Sequence, residues 1–324
     1  MISGVGMNAF IAGVLFAGAT QAQDRYPNRP IRIIVHTQAG ASSDTMARLV
    51  AEELGARLKQ TVVVENRSGA GGAIGVEAAV RATPDGHTLL AGASSAMVLL
   101  PLVSKRKPPY DVERDLAPIG VFGRSTFVLV ANERASFKSV PELVVRAKAN
   151  PGKITYGSAG AGTNPHVLGE LLQQLAGITL IHVPYKGPAG AQMDLLGGSI
   201  DFQFDTPSSV LPHIKAARLR ALTITTEDRL SVLPDVPVVK EFGYPKLLAH
   251  GWTALYAPGA TPAPIVNRLR EEMRGIYHAP KVQAYMDAIG LQKSLFIGDD
   301  LTRMWKRESD LWRDVIVSRK LWVD

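Results

Sequence analysis

The chain contains no cysteine. That excludes disulfides, thiol catalysis, cysteine-ligated zinc and lipidation at a cysteine. The seven histidines show no paired metal spacing such as H-E-x-x-H, so no metal site is expected. No lysine follows the glycine-rich loops in the manner of a phosphate-binding loop, and no cofactor is expected. Lys+Arg 36 against Asp+Glu 29 gives a formal charge of +7. This excess is not gathered into a dense basic block, and RNA-recognition and zinc-finger spacings are absent; nucleic acid is not an expected partner. The charge is either a solubility feature or a means of steering an anion.

Long apolar runs are also lacking. Residues 9–19 form one short apolar stretch, well below the roughly 20 residues needed to span a bilayer. Thr20, Gln21 and Ala22 follow it and suit a cleavage site. Residues 1–22 are expected to be a signal peptide, although no Lys or Arg precedes the apolar run. The 324 residues suffice for one large domain or two ordinary ones.

Two runs of small and polar residues stand out. One is Ala39-Gly40-Ala41-Ser42-Ser43-Asp44. The other spans Gly157 to His166 and contains Ser158, Gly160, Gly162 and Thr163. Each follows an apolar, strand-like run and precedes a helix-like run. Such a junction turns backbone N–H groups outward at the positive end of a helix dipole, which suits an anion. The two runs lie in different halves of the chain, so the simplest reading is one ligand held between two lobes.

The rest of the pattern agrees. Ile31–Val35, Thr61–Val64 and His87–Ala91 read as strands separated by helical periodicity, which implies a parallel sheet with helices on both faces. Strands near 118–122 and 126–131 follow. Ser139-Val140-Pro141-Glu142 matches a capping box. The alternation then restarts: strand 153–156, helix 164–176, strand 179–183, helix 188–197, strand 199–204, helix 208–216, strand 219–225. Trp252–Tyr256 reads as a strand. Helices are expected near 264–278, 280–289 and 299–318, packing back on the first lobe.

Several residues could carry chemistry. Asp44, in a first helical turn, would cap N–H groups, and holding its loop rigid is the functional extension of that role. Ser158, Gly160, Gly162 and Thr163 combine close backbone approach with hydroxyl donors. His166, one turn into its helix, either contacts a ligand or packs. Gly69-Ala70-Gly71-Gly72-Ala73-Ile74-Gly75 misses the dinucleotide fingerprint by one residue. Gly92-Ala93-Ser94-Ser95-Ala96 lacks the last glycine of a nucleophile elbow. Asp205 and His250 would complete a Ser–Asp–His order, so a secreted serine hydrolase using Ser94 is a rival reading.

In order and spacing, the motifs resemble the extracytoplasmic solute receptors of tripartite tricarboxylate transporters, the Bug receptors. The matching stretches include Asn66-Arg67 with Gly69–Gly72, Pro84-Asp85-Gly86, Tyr156–Gly162 with His166 and Glu170, Val183-Pro184-Tyr185-Lys186-Gly187, Asp194–Gly198, and Leu233-Pro234-Asp235-Val236-Pro237. The resemblance implies an α/β chain with the type II periplasmic-binding-protein fold: two α/β lobes with a ligand cleft between them. Lobe 1 would comprise residues 23–123 and 251–324, and lobe 2 residues 124–250.

It further implies a periplasmic, non-enzymatic, monomeric receptor. Its partners would be a small carboxylate, an organic acid or acidic amino acid, and membrane transporter subunits; a sensor partner is the alternative. The carboxylate-holding roles fall on Gly40, Ala41, Ser43 and Asp44 and on Ser158, Gly160, Gly162 and Thr163. Ser94, Ser95 and Asp205 sit where the family varies its contacts. The first loop departs from the family: His36-Thr37-Gln38-Ala39-Gly40-Ala41 replaces a proline-rich segment with a glycine pair. Ala41 must therefore avoid positive φ. Ser68 also replaces a usual proline, and His87 a usual tyrosine.

Overall fold

Ile31, Ile33, Ile34 and Val35 are fully buried in the first strand, β1 (Ile31–Val35), where β-branched side chains fill both faces of a sheet. A computed structural model describes residues 26–323; the expected signal peptide lies outside the described residues. α1 (Ser42–Leu58), β2 (Val62–Asn66), α2 (Ala73–Val80) and β3 (Thr88–Ala93) follow. A π-helical turn at Ser95–Leu99 runs into α3 (Leu100–Val103), and α4 (Val112–Asp115) leads into β4 (Leu116–Thr126). The two strands expected near 118–122 and 126–131 are β4, eleven residues long, and β5 (Val128–Asn132), in a different sheet.

The second alternation is α5 (Val140–Ala149), β6 (Thr155–Ser158), α6 (Asn164–Ala176), β7 (Ile181–Pro184), α7 (Pro188–Gly197), β8 (Phe202–Asp205), α8 (Pro207–Lys215) and β9 (Leu219–Ile224). The chain closes with β10 (His250–Pro258), α9 (Ala263–Tyr277), α10 (Pro280–Ala288) and α11 (Asp299–Arg319). The Ser139 hydroxyl caps α5 by accepting from the Glu142 amide at 3.3 Å. The return bond of the expected box comes one residue early, from the Lys138 amide to Glu142 at 2.8 Å.

The strands form two five-membered sheets of matching order, β2-β1-β3-β10-β4 and β7-β6-β8-β5-β9. β1 pairs in parallel with β2 and β3, as β6 does with β7 and β8. The other two strands of each sheet run antiparallel to their neighbours. Both sheets are therefore mixed, and the expected parallel arrangement holds for three strands in each. β1 and β6 stand at the points where strand order reverses. In such sheets a crevice opens beyond the strand C-termini at those points. The loops after β1 and β6 are the two small-residue runs.

The chain passes between the sheets at Phe127 and again over residues 225–249. The crossings are stitched together at Thr225. Its hydroxyl accepts from the Phe127 amide at 3.1 Å and donates to the Ala249 carbonyl at 2.8 Å. α11 also spans both halves. Trp305 Nε1 donates to the Met97 carbonyl at 2.7 Å, and Arg319 pairs with Glu170 of α6 at 2.8 Å.

Candidate functional site

Three helices start directly beyond strand ends: α1 after β1, α6 after β6 and α8 after β8. No side chain caps any of the three. Their first-turn N–H groups thus lack the usual protein acceptor, and the helix dipoles direct positive potential outward.

In the first loop Gly40 takes the left-handed turn at φ +83°, which leaves Ala41 extended at φ −67°. The chain meets the requirement that the missing glycine imposed. Asp44 does not cap α1. Its carboxylate reaches back to accept from the Gly40 amide at 2.8 Å, and also binds Asn66 Nδ2 at 2.9 Å and Arg48 Nε at 3.1 Å. Burial pushes its pKa up, but these hydrogen bonds outweigh burial and hold it below the usual carboxylate range. Asp44 therefore braces the loop. The Ser43 hydroxyl is 2.7 Å from that of Thr37 and closes the loop from the other side.

The near-fingerprint at Gly69–Gly75 has a packing explanation. A Cβ on Gly72 would sit 2.6 Å from His36 Nδ1, and one on Gly75 would sit 2.7 Å from His36 Cα. These glycines let the start of α2 press against the first loop. His36 in turn accepts from the Ala93 amide through Nε2 at 3.0 Å. Burial lowers its pKa to about 4, so it stays neutral.

In the second loop, the Ser158 hydroxyl accepts from the Gly160 amide at 3.1 Å and lies 2.7 Å from His182 Nε2. Thr163 Oγ1 donates to the Gly160 carbonyl at 2.7 Å. His166 Nδ1 accepts from the Gly162 amide at 3.0 Å, so this residue supports the loop from behind. Gly162 has φ +79°, and a Cβ there would lie 3.0 Å from Val103 Cγ2. The loop thus touches α3 of the other sheet's layer.

The two halves meet at Ser94. Its hydroxyl accepts from Asn164 Nδ2 and from the Trp252 amide, each at 3.4 Å. Ser95 lines a groove of about 560 Å³ together with Gly162 and Thr163, and Arg106 and Lys107 stand in its wall. The structure thus joins Ser94 and Ser95 to the second loop. Gly40, Ala41, Ser43 and Asp44 are not in the wall of that groove; they connect to Ser94 through His36 and Ala93. The Asp205 side chain shares no hydrogen bond with Ser94 or the second loop, although β8 ends beside β6. Its partners are Gln203 Nε2, the Thr206 amide and the Ser209 hydroxyl, all in its own strand and helix. Burial raises its pKa to about 6. No hydrogen bond among the described residues links Ser94, Asp205 and His250, the order a hydrolase would need; both His250 ring nitrogens lack a partner.

Asn164 and His182 were not among the sequence candidates. Parallel pairing places His182 opposite Tyr156, two residues before Ser158 and on the same face of the strand. A long-range alignment of that kind leaves no local mark in the sequence. Among the described residues, no helix is long and apolar enough to cross a membrane, and no group of three or more metal-ligating side chains exists.

Comparison with known proteins agrees with the topology. A family model described as "Tripartite tricarboxylate transporter family receptor" matches residues 46–321. BugT of Bordetella pertussis is 39% identical over 283 residues, covering 87% of this chain and 86% of BugT. The periplasmic binding protein BugD is 31% identical, with a TM-score of 0.78 over 92% of this chain and 99% of that one. An R. palustris protein solved with adipate is 27% identical, with a TM-score of 0.82 over 92% and 99%. MatC from Rhodopseudomonas palustris, solved with bound malate, is 26% identical, with a TM-score of 0.77 over 90% and 100%. The fold is the two-lobed α/β fold of these periplasmic binding proteins. By sequence and architecture, the chain belongs to the receptor family of the tripartite tricarboxylate transporters.

Proposed function

We propose that this protein is an extracytoplasmic, periplasmic receptor that binds a small carboxylate, an organic acid or acidic amino acid, and delivers it to a tripartite tricarboxylate-type membrane transporter. In this reading residues 23–123 with 251–324 form one lobe and 124–250 the other, and the lobes close on the ligand as a monomer. The observation that carries it is the pair of uncapped helix N-termini, α1 and α6, at the two strand-order reversals. A carboxylate between them gains charge-assisted N–H bonds that offset its desolvation without a buried counter-ion. Gly40, Ala41 and Ser43 supply one wall, braced by Asp44. Ser158, Gly160, Gly162 and Thr163 supply the other, braced by His166. Ser94, Ser95 and Asp205 tune what lies beyond the carboxylate. The relatives solved with adipate and malate support this ligand class.

The role needs no nucleophile or general base, and the Ser94 hydroxyl is occupied by Asn164 and the Trp252 amide. Closure follows from contacts on both walls, and its extent is limited by the ligand's preference for the closed form. A thermal-shift screen of mono-, di- and tricarboxylates with acidic amino acids tests the reading. A ligand at 100 times its Kd adds about 2.7 kcal/mol of stability. At least one acid should raise the melting temperature and remain chemically unchanged. A panel that leaves the melting curve in place, or turnover of the acid, overturns it.

A further inference from the structure

Behind the second loop lies a buried stack that joins it to the far end of α11. The His166 and His182 rings lie 4.0 Å apart at 21°, and Tyr156 stacks on His182 at 5.0 Å. The Tyr156 hydroxyl donates to Glu170 Oε1 at 2.7 Å, and Gln173 Nε2 donates to the same oxygen at 2.7 Å. Glu170 Oε2 accepts from Arg319 Nε at 2.8 Å. Glu170 is buried, while Arg319 keeps a third of its side chain exposed. At the other end the imidazoles hold the loop: His182 by Ser158, His166 by the Gly162 amide.

We infer that Glu170 and Arg319 are positioning residues for the second loop: their ion pair keeps the His166–His182 stack in the neutral form that the Gly162 contact requires.

A backbone amide only donates, so His166 Nδ1 must carry a lone pair; an imidazolium has none to offer. The charged and titratable groups facing the stack are few. Glu170 comes from the same helix as His166, Arg319 from α11, Tyr156 from β6, and each imidazole faces the other. Burial lowers the pKa of both imidazoles, that of His182 to about 4, and the neighbouring His166 pushes His182 in the same direction. The Glu170 carboxylate acts the opposite way on both. Uncompensated, it would raise the pH at which the stack takes up a proton and releases Gly162. A guanidinium 2.8 Å from that carboxylate must weaken its field at the rings, and Arg319 is so placed. The C-terminal helix thus acts on the second loop through the buried stack.

The two partners must then have opposite effects. In Arg319→Gln the carboxylate loses its cation, and the imidazoles take up a proton at higher pH. In Glu170→Gln the attracting charge is gone, and they take it up at lower pH. The Gly162 amide resonance, followed by NMR from pH 4 to 8 in ligand-free protein, reports the bond to His166 directly. Its midpoint should rise by roughly half a unit or more in Arg319→Gln, fall in Glu170→Gln, and return toward wild type in Arg319→Lys. Circular dichroism verifies folding, and the conservative lysine variant keeps the test open should the glutamine variant unfold. Equal midpoints in all variants, or shifts of the same sign in both glutamine variants, overturn the inference.

A second readout rests on the carboxylate reading. Calorimetry with malate and adipate should find Arg319→Gln equal to wild type at pH 8 and weaker near pH 5.5 by up to about threefold for each half-unit rise in the midpoint. The Gly162 titration needs no ligand, so it decides the positioning role even where neither acid binds.

Discussion

Asn164 donates to the Ser94 hydroxyl at 3.4 Å, and that contact links the strand end of one sheet to the first turn of a helix on the other. It joins Ser94 to the first turn of α6, which follows the second small-residue loop. A long, neutral bond of this kind contributes about 0.5–1.5 kcal/mol. Asn164→Ala removes it without touching either core. The ligand-free protein should then populate a more open form, visible as a larger radius of gyration in small-angle scattering. Carboxylate affinity should fall by roughly three- to tenfold. Unchanged scattering and affinity would mean that the contact does not contribute to closure.

Asp44 yields a pH-resolved prediction. Three donors hold its carboxylate ionised, so its folded pKa lies below the unfolded value. A depressed carboxyl stabilises the fold above the unfolded pKa, and that stability is lost as pH falls through the folded pKa. Asp44→Asn should therefore cost about 1–3 kcal/mol near pH 7 and progressively less below about pH 4. Urea unfolding of both proteins across that range measures the gap. A gap that stays constant with pH would assign the loss to shape rather than charge.

Gly162 tests the second wall. Its φ of +79° lies in the left-handed region, where a Cβ costs about 1–2 kcal/mol. The added atom would also meet Val103 Cγ2 at 3.0 Å. Gly162→Val should weaken binding far more than it weakens the fold. In the proposed receptor the ligand is held where the loop meets α3, whereas folding of the second sheet does not need that approach. Calorimetry beside thermal unfolding separates the two effects, and retained affinity would place the ligand elsewhere.

Much of this was legible locally. The span of α6 matches its expected range of 164–176, because Gly177 ends it in the left-handed conformation and Pro165 opens it. Ala41 avoids positive φ because Gly40 takes the turn, as the altered loop demanded. What the sequence hid was long-range. Asp44 was expected to cap N–H groups, but it lies in the first turn of α1, past the Ala41 N-cap, and its carboxylate turns to Gly40, Asn66 and Arg48. Tyr156 and His182 become neighbours only through strand pairing, and Arg319 meets Glu170 across 149 residues. No periodicity encodes such contacts. β4 runs from Leu116 to Thr126, beyond the strand expected near 118–122, and Gly120 and Gly123 do not break it. Each instead gives space to a neighbour: a Cβ would meet Ile297 at 2.5 Å from Gly120, and Leu291 at 3.0 Å from Gly123.

The buried histidines predict how stability should follow pH. Burial lowers His36 to about 4, His182 to about 4 and His250 to about 3, and it lowers His166 as well. Unfolded, each titrates near 6.5. Below that value the unfolded chain binds more protons than the fold, so these groups make stability rise with pH up to about 6.5. Two carboxyls act in the opposite sense. Burial raises Asp205 to about 6 and Glu308 to about 7, and stability is lost as pH rises through those values. Between about pH 4.5 and 6 four imidazoles oppose two carboxyls, and the net slope should be positive, roughly 1–3 kcal/mol per pH unit. Between about pH 6.5 and 8 the remaining protonation of the unfolded imidazoles and the ionisation of Glu308 nearly cancel, and stability should level off. Glu308→Gln keeps an oxygen to accept from Trp252 Nε1 and removes one of the two opposing carboxyls, so it should steepen the rise below pH 6.5 and carry it past pH 7. Denaturation free energies at pH 5, 6.5 and 8 measure both limbs. Greater stability at pH 5 than at 6.5 would show that the imidazoles are not held neutral in the fold.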